Sequence, residues 1–465
     1  MKFLAKISGE IATKSPPVRR QMIRFLRRNL AAKFPNAKIS GAWDHFFLET
    51  DADISAEIRH FPGLSKIHQI LEFDFESLDD LFQKIRPLFL EKLFQKRFCV
   101  RVRRAGKHDF RSIDAEKFLG TAFLKTGKTG KIKLKNPDFQ IDLEIRDQKC
   151  FVLGKKIVGA GGFPVGATGR VLVLLSGGFD SIVAAEMLMK KGAAVDFVFC
   201  NLGGTSHEMG VRAVAKFLAK TFSAGHDGYF FSVDFRPVIA EILKKITPRF
   251  RGLILKRMMF RAAENLRKKH AAIVTGESLA QVSSQTLKNL ALLDDTVKMP
   301  IFRPLFGLSK NEIIARADDF GGGDFARKMP EFCAIISKNP ATAAKKPQIL
   351  AEEKKIDENL FTNLAVEKTP ISQLKIEKIE MPTRHFLLKN EIAIDLREPE
   401  EIAEMPLEIA EKIEIPFFEI EKKFPELDPK KKYFLFCERG VVSRATAENL
   451  RKSGFQNVGI FLPKF

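Results

Sequence analysis

The chain has 465 residues, of which 45% are hydrophobic and 29% are charged, and its formal net charge is +21. Apolar runs stay short of the roughly 20 residues that a membrane-spanning helix needs, and the charged N-terminus lacks the apolar centre of a signal peptide, so we expect a cytoplasmic protein without membrane contact. Five cysteines with no CxxC spacing argue against a disulfide scaffold and a structural zinc site, and the sequence predicts no metal-ligand cluster.

The positive charge is unevenly distributed along the chain. Residues 346–465 carry 20 Lys and Arg against 22 Asp and Glu, so the cationic excess lies in the first three-quarters. Such a surface attracts nucleic acid, because each phosphate that it neutralises releases counterions. A compositional bias is the alternative explanation, and the ratio of 43 Phe to 2 Tyr shows that some bias exists.

Two small α+β units are predicted at the start of the chain, over residues 1–52 and 53–157. In the second, the strand "RFCVRVRRAG" alternates Val100 and Val102 with arginines, which gives it one apolar and one cationic face. A solvated strand face would by itself explain this pattern. Two basic units ahead of a catalytic-looking domain favour RNA docking, and the candidate RNA-binding residues are Arg101, Arg103, Arg104, Lys107 and His108.

From residue 170 the chain alternates apolar strands with amphipathic helices, as in "VLVLL" before "DSIVAAEMLMKKG" and "VDFVFCN" before "SHEMGVRAVAKFLAKTF". This alternation predicts a doubly wound parallel sheet, whose ligands bind at the carboxyl ends of the strands.

The first of these strands ends in "SGGFDS", Ser176 to Ser181. Gly177 and Gly178 allow a tight turn whose N–H groups face an anion, and the following helix N-terminus adds its positive end. The loop lacks the GKS or GKT ending of a Walker A motif. It resembles the loop of the PP-loop ATP pyrophosphatases, in which Asp180 would act on a triphosphate through Mg²⁺.

The last 120 residues begin with a charge-rich segment, 346–384, which reads as a partly helical linker. An α/β domain follows over 385–465, and in its stretch "CERGVVSR" Cys437 ends a strand just before a helix N-terminus, where the dipole and Arg439 favour thiolate. A buried structural cysteine is one alternative. A Cys-x5-Arg phosphatase loop fails because Ser443 stands where the arginine belongs, and a cysteine protease lacks a proposed His partner. A rhodanese-type loop that carries a persulfide remains.

The order of these regions resembles the tRNA 4-thiouridine synthetase (tRNA sulfurtransferase) family in its longer form, with a C-terminal rhodanese domain. Further stretches carry the resemblance: "GGFPVG", "NLGGTSHEMGVR", "LKRMMFRAA", "VTGESLAQVSSQTLKNL" and "DFARKMPEFCAIISKNP". The resemblance implies a ferredoxin-like domain (1–52), a THUMP RNA-binding domain (53–157), a PP-loop ATP pyrophosphatase domain (158–345), a linker (346–384) and a rhodanese domain (385–465). It also implies an ATP site made by Leu174, Leu175, Ser176, Gly177, Gly178, Phe179, Asp180, Ser181, Lys256, Gly276 and Gln285.

The reaction that the resemblance implies is ATP-dependent transfer of sulfur to the uridine at position 8 of tRNA. An adenylated uridine would become 4-thiouridine, with release of AMP and pyrophosphate. Cys437 would carry the persulfide, loaded by a cysteine desulfurase, and Cys333 would release the sulfur by forming a disulfide with Cys437. The remaining cysteines, Cys99, Cys150 and Cys200, lie in apolar, strand-like surroundings and are interpreted as structural.

Several points stay open on the sequence alone. Family members with the rhodanese domain also pass sulfur to a carrier protein for the thiazole of thiamine, and the family precedent is a homodimer; the sequence decides neither. A non-enzymatic tRNA-binding sulfur carrier and a small-molecule adenylating sulfurtransferase are alternative functions. The intact Ser176, Asp180, Lys256 and Gln285 speak against the first, and the basic front of the chain disfavours the second. A flexible linker would let the rhodanese domain swing between sulfur donor and tRNA.

Overall fold

The structure is a computed structural model that describes residues 1–41, 43–202, 204–329, 339–357, 359–362, 364–377, 381–397, 399–417, 419–437 and 440–463. The chain divides into two compact units, Met1–Pro164 and Val165–Phe465. Over these described ranges, no helix is long and apolar enough to cross a membrane.

The first unit is built on a seven-stranded sheet with the order β2-β3-β1-β4-β7-β6-β5. Its strands are β1 (Lys2–Ile7), β2 (Lys38–Ser40), β3 (His45–Glu49), β4 (Leu64–Asp74), β5 (Phe98–Ala105), β6 (Phe139–Arg146) and β7 (Lys149–Val158). Its helices are α1 (Gly9–Ala12), α2 (Pro16–Lys33), α3 (Ser55–Ile58), α4 (Leu78–Phe89) and α5 (Ser112–Lys125). Because β4 pairs antiparallel with both β1 and β7, the two units predicted at the start of the chain share one continuous sheet.

Strand β5 follows the alternation that its sequence predicts. Val100 and Val102 are buried and belong to the same core as Leu119 and Phe123 of α5, whereas Arg103 is exposed. Strand β5 pairs parallel with β6, and parallel neighbours need a crossover, which α5 provides. The cationic face of β5 therefore points away from the core of the first unit.

The second unit contains a six-stranded sheet with the order β12-β11-β8-β9-β10-β13. Its strands are β8 (Arg170–Leu174), β9 (Ala194–Asn201), β10 (Tyr229–Asp234), β11 (Ile273–Val274), β12 (Ile301–Phe302) and β13 (Val366–Pro370). The helices of this region are α6 (Phe179–Lys190), α7 (Gly204–Leu218), α8 (Arg236–Lys245), α9 (Arg251–Asn265), α10 (Leu287–Asp294), α11 (Lys310–Asp319), α12 (Gly323–Ala326), α13 (Lys346–Glu353) and α14 (Asn359–Thr362).

Strands β8 to β12 pair parallel, and only the edge strand β13 runs antiparallel, to β10. Val171 and Val173 of β8 pack into one core, while Leu172 between them packs into another. Both faces of the sheet are thus covered, and the prediction of a doubly wound parallel sheet is confirmed.

The segment predicted as a linker, residues 346–384, packs over much of its length, which corrects the expectation of a swinging tether. Strand β13 completes the sheet, and Ile349 and Ile371 are buried in the two cores on its faces. Arg257 donates from Nε and Nη2 to Glu353, at 2.8 Å each, and both side chains are buried. The charge density and prolines suggested a solvated segment, but its buried isoleucines pack in the cores on the two faces of the six-stranded sheet, and Glu353 pairs with an arginine of α9.

The C-terminal region is a further α/β domain, as predicted. Its strands pair parallel in the order β14-β18-β17-β15-β16. They are β14 (Thr383–Arg384), β15 (Glu391–Asp395), β16 (Lys412–Glu414), β17 (Lys432–Phe436) and β18 (Val458–Phe461), and the helices are α15 (Pro399–Glu404), α16 (Ile420–Lys423) and α17 (Val441–Lys452).

Candidate functional site

The loop after β8 has the shape of a phosphate cradle. Gly177 adopts a φ of 86°, and a Cβ there would lie 2.8 Å from the sulfur of Met329, so the turn requires glycine. The hydroxyl of Ser181 accepts from the backbone N–H of Ser176 at 3.3 Å and donates to the carbonyl of Gly178 at 3.0 Å. These bonds hold the loop at the carboxyl end of β8, where α6 begins.

Asp180, in the first turn of α6, is the centre of a small polar cluster. The Nζ of Lys310 lies 2.8 and 3.0 Å from its two carboxylate oxygens, and the side-chain amide of Gln281 donates to it at 3.1 Å. Lys310 is the first residue of α11 and its side chain is partly exposed. Neither Lys310 nor Gln281 was singled out from the sequence, because no local motif marks them.

Gly276 lies directly against the start of α6. A Cβ at this position would stand 2.6 Å from the carbonyl carbon of Asp180 and 2.7 Å from the backbone nitrogen of Ser181. Backbone atoms cannot turn aside as a flexible side chain can. The close approach of two chain segments therefore requires glycine here, and the predicted contact of Gly276 with ATP stays a prediction.

Lys256, a predicted ATP residue on α9, belongs to a buried ionic network. Its Nζ donates to Glu277 at 2.8 Å, and Arg303 donates from Nε to the other carboxylate oxygen, also at 2.8 Å. Burial alone would raise the pKa of Glu277, but the charges of Lys256 and Arg303 outweigh it and hold that pKa below its usual value. The network fixes Lys256 beside the segment that carries Gly276.

Gln285, another predicted ATP residue, is buried in a short 3₁₀ turn. Within the described part of the chain, its side-chain carbonyl oxygen and that of Gln281 are buried without a hydrogen-bond partner. Buried acceptors left unpaired are costly. These two oxygens suit donors that a ligand or water would supply, and Gln281 lies at the cradle through its bond to Asp180.

The N-terminal turn of α7 supports the phosphate loop from the side. The Nε2 of His207 lies 3.1 Å from the carbonyl oxygen of Ser176, and its ring packs edge-on against Phe199. Burial lowers the pKa of His207 to about 4, so the ring is neutral near pH 7 and donates this bond. The stretch "NLGGTSHEMGVR" was quoted for the resemblance, but the role of His207 became visible only in the structure.

The second reactive loop follows β17. Cys437 is buried, and its Sγ accepts from the backbone N–H of Ser443 at 3.3 Å and lies 3.5 Å from the Ser443 hydroxyl. Gly440 adopts a φ of 68° at the N-cap of α17, and its N–H donates to the Cys437 carbonyl at 3.2 Å. A sulfur that accepts a backbone N–H bond at a helix N-terminus suits a persulfide anion. Arg439, expected to add to this effect, lies outside the described residues.

The other cysteines divide into two groups. Cys333 lies outside the described residues, so its predicted disulfide with Cys437 stays a prediction. Cys99, Cys150 and Cys200 are buried. Burial raises the pKa of Cys99, and it raises the pKa of Cys150 to about 12, which fits the structural role predicted for them.

The predicted RNA-binding residues have unequal surroundings. Arg101 donates to Glu116 and to the carbonyl of Leu134, at 3.4 and 2.7 Å. Arg104 lies 2.9 Å from Nδ1 of His108, whose Nε2 lies 2.7 Å from a backbone carbonyl. In contrast, Arg103 and Lys107 are exposed.

Lys107 and His108 border a cleft of about 990 Å³ in the first unit, which Arg146 and Lys149 also line. Five carboxylates line the same cleft, so its charge does not by itself favour the phosphates of a nucleic acid; they belong to Asp74, Glu76, Asp79, Asp109 and Asp147.

A metal site is not preformed in the described ranges, since no group of three or more His, Cys, Asp or Glu there could hold an ion. The polar centre at Asp180 is occupied by Lys310. A Mg²⁺ ion at this place would need most of its ligands from phosphate oxygens and water.

Three family models match the chain. Residues 75–153 match the THUMP domain, residues 166–358 match the family described as "Thiamine biosynthesis protein (ThiI)", and residues 385–462 match the rhodanese-like domain. Two similar curated proteins, from Shewanella amazonensis and Shewanella sp. (strain MR-7), are both named "tRNA sulfurtransferase". Each is 40% identical over 484 residues, which cover 100% of this chain and of the relative.

Solved structures agree with these matches. One, "Crystal structure of a 4-thiouridine synthetase - RNA complex with bound ATP", is 25% identical with a TM-score of 0.69, covering 79% of this chain and 99% of that one. A second, PH1313 from Pyrococcus horikoshii, is 20% identical with a TM-score of 0.54, covering 69% of this chain and 100% of that one, and it supports the fold alone.

Proposed function

Because this chain belongs to the tRNA sulfurtransferase (4-thiouridine synthetase) family, we propose that it moves sulfur from a persulfide on Cys437 to C4 of the uridine at position 8 of tRNA. The observation that carries the proposal is the pairing of two loops within one compact unit. One is the phosphate cradle before α6, and the other is the Cys437 loop before α17, where Ser443 donates to the sulfur.

The residues around the cradle fit ATP. The turn at Gly177 and the start of α6 present N–H groups, while Lys310 and Lys256 bring positive charge. The unpaired amide oxygen of Gln285 can accept from a nucleotide donor. A solved relative is titled as a complex with bound ATP, which supports the same ligand here. Bound ATP would supply an adenylyl group to the uridine oxygen, which turns a poor leaving group into AMP.

In that step the residues of the chain hold the phosphate loop in position and supply positive charge for the triphosphate. Lys310 holds the Asp180 carboxylate at the start of α6, and His207 holds the Ser176 carbonyl, so the loop is rigid before a ligand arrives. Asp180 would hold Mg²⁺ in place of Lys310, and the ion would supply positive charge to a triphosphate that a bare carboxylate would repel. Lys310 would then be free to neutralise phosphate charge.

The sulfur step uses the second loop. The terminal sulfur of the Cys437 persulfide, whose inner sulfur is held by the Ser443 N–H, attacks C4 of the activated uridine, and AMP departs with the C–O electron pair. This leaves the uridine joined to Cys437 through a disulfide. The thiolate of Cys333 then attacks the Cys437 sulfur, which forms the Cys333–Cys437 disulfide and releases 4-thiouridine; a dithiol reductant reopens that disulfide.

The partners follow from the same chemistry. We propose that residues 1–157 bind tRNA, with Arg103 and Lys107 as exposed phosphate contacts, and that residues 158–345 and 385–465 act on the nucleotide and carry sulfur. A cysteine desulfurase would load Cys437 in the cytoplasm, where tRNA and reduced thiols are found. Sulfur delivery to a thiamine carrier protein and a homodimeric state are further proposals, which the description "Thiamine biosynthesis protein (ThiI)" and the family precedent support.

The test is the thionucleoside content of tRNA from cells that lack the gene. The chain should restore 4-thiouridine, Cys437→Ala and Asp180→Ala should not, and Cys99→Ala, at a buried cysteine of β5, should restore it as the matched control. Thionucleoside that persists in the deletion would refute the proposal. Restoration by Asp180→Ala would favour a non-enzymatic sulfur carrier, and an unmodified tRNA pool with intact thiamine synthesis would favour a small-molecule substrate.

A further inference from the structure

Helix α17, which begins at the Cys437 loop, carries a buried carboxylate that reaches into another domain. Glu448 is only 3% exposed. It accepts from the backbone N–H of Ser206 at 2.7 Å and from the Ser206 hydroxyl. Ser206 lies in the first turn of α7, which packs on the nucleotide-binding sheet. A carboxylate from the rhodanese domain thus caps a helix of the nucleotide-binding domain.

The physical basis of this contact is the exposed end of a helix. The first N–H groups of α7 have no partners within the helix, and an anion there is also favoured by the helix dipole. A carboxylate as deeply buried as Glu448 needs such donors. If the domains separated, the N–H of Ser206 would have to find water, and Glu448 would become solvated.

Both helices also lead to the two reactive loops. On α7, His207 follows Ser206 directly and holds the Ser176 carbonyl of the phosphate loop. On α17, Ser443 donates to Cys437 and stands five residues before Glu448, about 7.5 Å along the axis. The Glu448–Ser206 contact therefore joins two short rigid elements, one of which ends at the sulfur and the other at the phosphate loop.

The same helix α7 holds the segment that enters the rhodanese domain. Arg212 pairs with Glu367 of β13 at 2.8 Å, and Lys216 donates to the carbonyl of Leu374 at 2.9 Å. Only residues 375–382 separate this anchored segment from β14. Eight residues span at most about 29 Å, so the rhodanese domain has a limited range and a specific contact matters for where it rests.

We propose that Glu448 is a positioning residue for sulfur delivery. By capping α7, it holds the rhodanese domain in the arrangement from which the Cys437 persulfide meets the uridine at the phosphate loop. This inference rests on the proposed function, because it assigns the docked arrangement to the transfer step. Loading of Cys437 uses the rhodanese domain, and activation of the uridine uses the tRNA-binding and nucleotide-binding regions, so neither step depends on the contact between Glu448 and Ser206.

The experiment uses the full chain with three measurements. Mass spectrometry after alkylation reports persulfide on Cys437 loaded by a cysteine desulfurase with cysteine. Pyrophosphate release reports activation with unmodified tRNA and ATP, and a single-turnover assay with the preloaded chain reports formation of 4-thiouridine. For Glu448→Gln we expect loading and pyrophosphate release within twofold of the parent and transfer at least tenfold slower. Glu408→Gln, an exposed position of the same domain, should match the parent in all three measurements.

A charge-pair exchange separates positioning from general damage to the fold. Ser206→Asp should slow transfer, because it places a second anion against Glu448, and Glu448→Arg in the same chain should restore it. Transfer by Glu448→Gln at or above the parent rate would overturn the inference, as would failure of Ser206→Asp to slow transfer or of Glu448→Arg to rescue it. If Glu448→Gln loses persulfide loading, the charge-pair exchange between positions 206 and 448 alone decides whether the inference holds. A parent chain that forms no 4-thiouridine would instead refute the proposed function.

Discussion

Replacement of Gly276 by alanine tests whether the start of α6 and the segment after β11 must touch for nucleotide binding. The new Cβ would lie 2.6 Å from the Asp180 carbonyl carbon, against an ordinary contact of at least 3.4 Å, so one backbone must retreat by about 0.8 Å. Overpacking of this kind costs about 1–3 kcal/mol. If α6 retreats, Asp180 moves away from Lys310 and Gln281, whose bonds of 2.8 and 3.1 Å have little slack.

The assay is ATP-dependent pyrophosphate release with saturating tRNA, together with the melting temperature. For Gly276→Ala we expect kcat/KM for ATP to fall at least tenfold, equivalent to about 1.4 kcal/mol, and Tm to fall by roughly 2–10 °C. Gly307→Ala is the matched control, because a Cβ there meets nothing within 4 Å and its φ is not positive. Parent-like kinetics and melting for Gly276→Ala would show that these backbones do not approach so closely.

Four further expectations follow from the same structure. Glu277→Gln should lower the free energy of unfolding by about 3 kcal/mol at pH 7 in urea unfolding, because it removes the carboxylate between two cations. Since the folded pKa of Glu277 lies below 4.5, the parent keeps this stabilisation above about pH 4.5 and loses it as the pH falls through the folded pKa. The variant lacks the carboxylate, so its stability should not show this loss. The pKa of His207, about 4 in the fold against 6.5 unfolded, predicts that roughly 3 kcal/mol of stability is lost as the pH falls from 6.5 to 4, and that His207→Gln has a flatter profile. Iodoacetamide at pH 8 should label Cys150 only after unfolding, because burial raises its pKa to about 12; labelling in the native chain, seen by peptide mass spectrometry, would contradict its burial. In tRNA titrations, Arg103→Ala with Lys107→Ala should reduce the slope of log K against log salt by about 2, and an unchanged slope would exclude this face from the interface.

The local sequence pattern predicted the helices and strands, and it predicted those site residues whose role depends only on the turn in which they lie. The run "VLVLLSGGFDS" predicts a buried strand, a glycine turn and a helix start, and Gly177 indeed adopts the positive φ that such a turn requires. Alternation on β5 predicted a cationic face but not its pairing. Arg101 donates to Glu116 of α5, whereas Arg103 is exposed. The sequence of the strand does not show which charged residue of a neighbouring helix will lie beside it.

The sequence by itself determined the family, the doubly wound sheet, the phosphate loop and the cysteine loop. Each of these depends on short runs of residues whose own backbone preferences favour a strand, a turn or a helix start. Tertiary structure alone decided which distant groups meet. Lys310 reaches Asp180 across 130 positions, and Glu448 reaches Ser206 across 242. Tertiary structure also decided that part of a charge-rich segment forms the packed edge strand β13. Such contacts depend on how complete elements pack, since a buried charge or an open helix end is satisfied by whichever partner the fold brings to it.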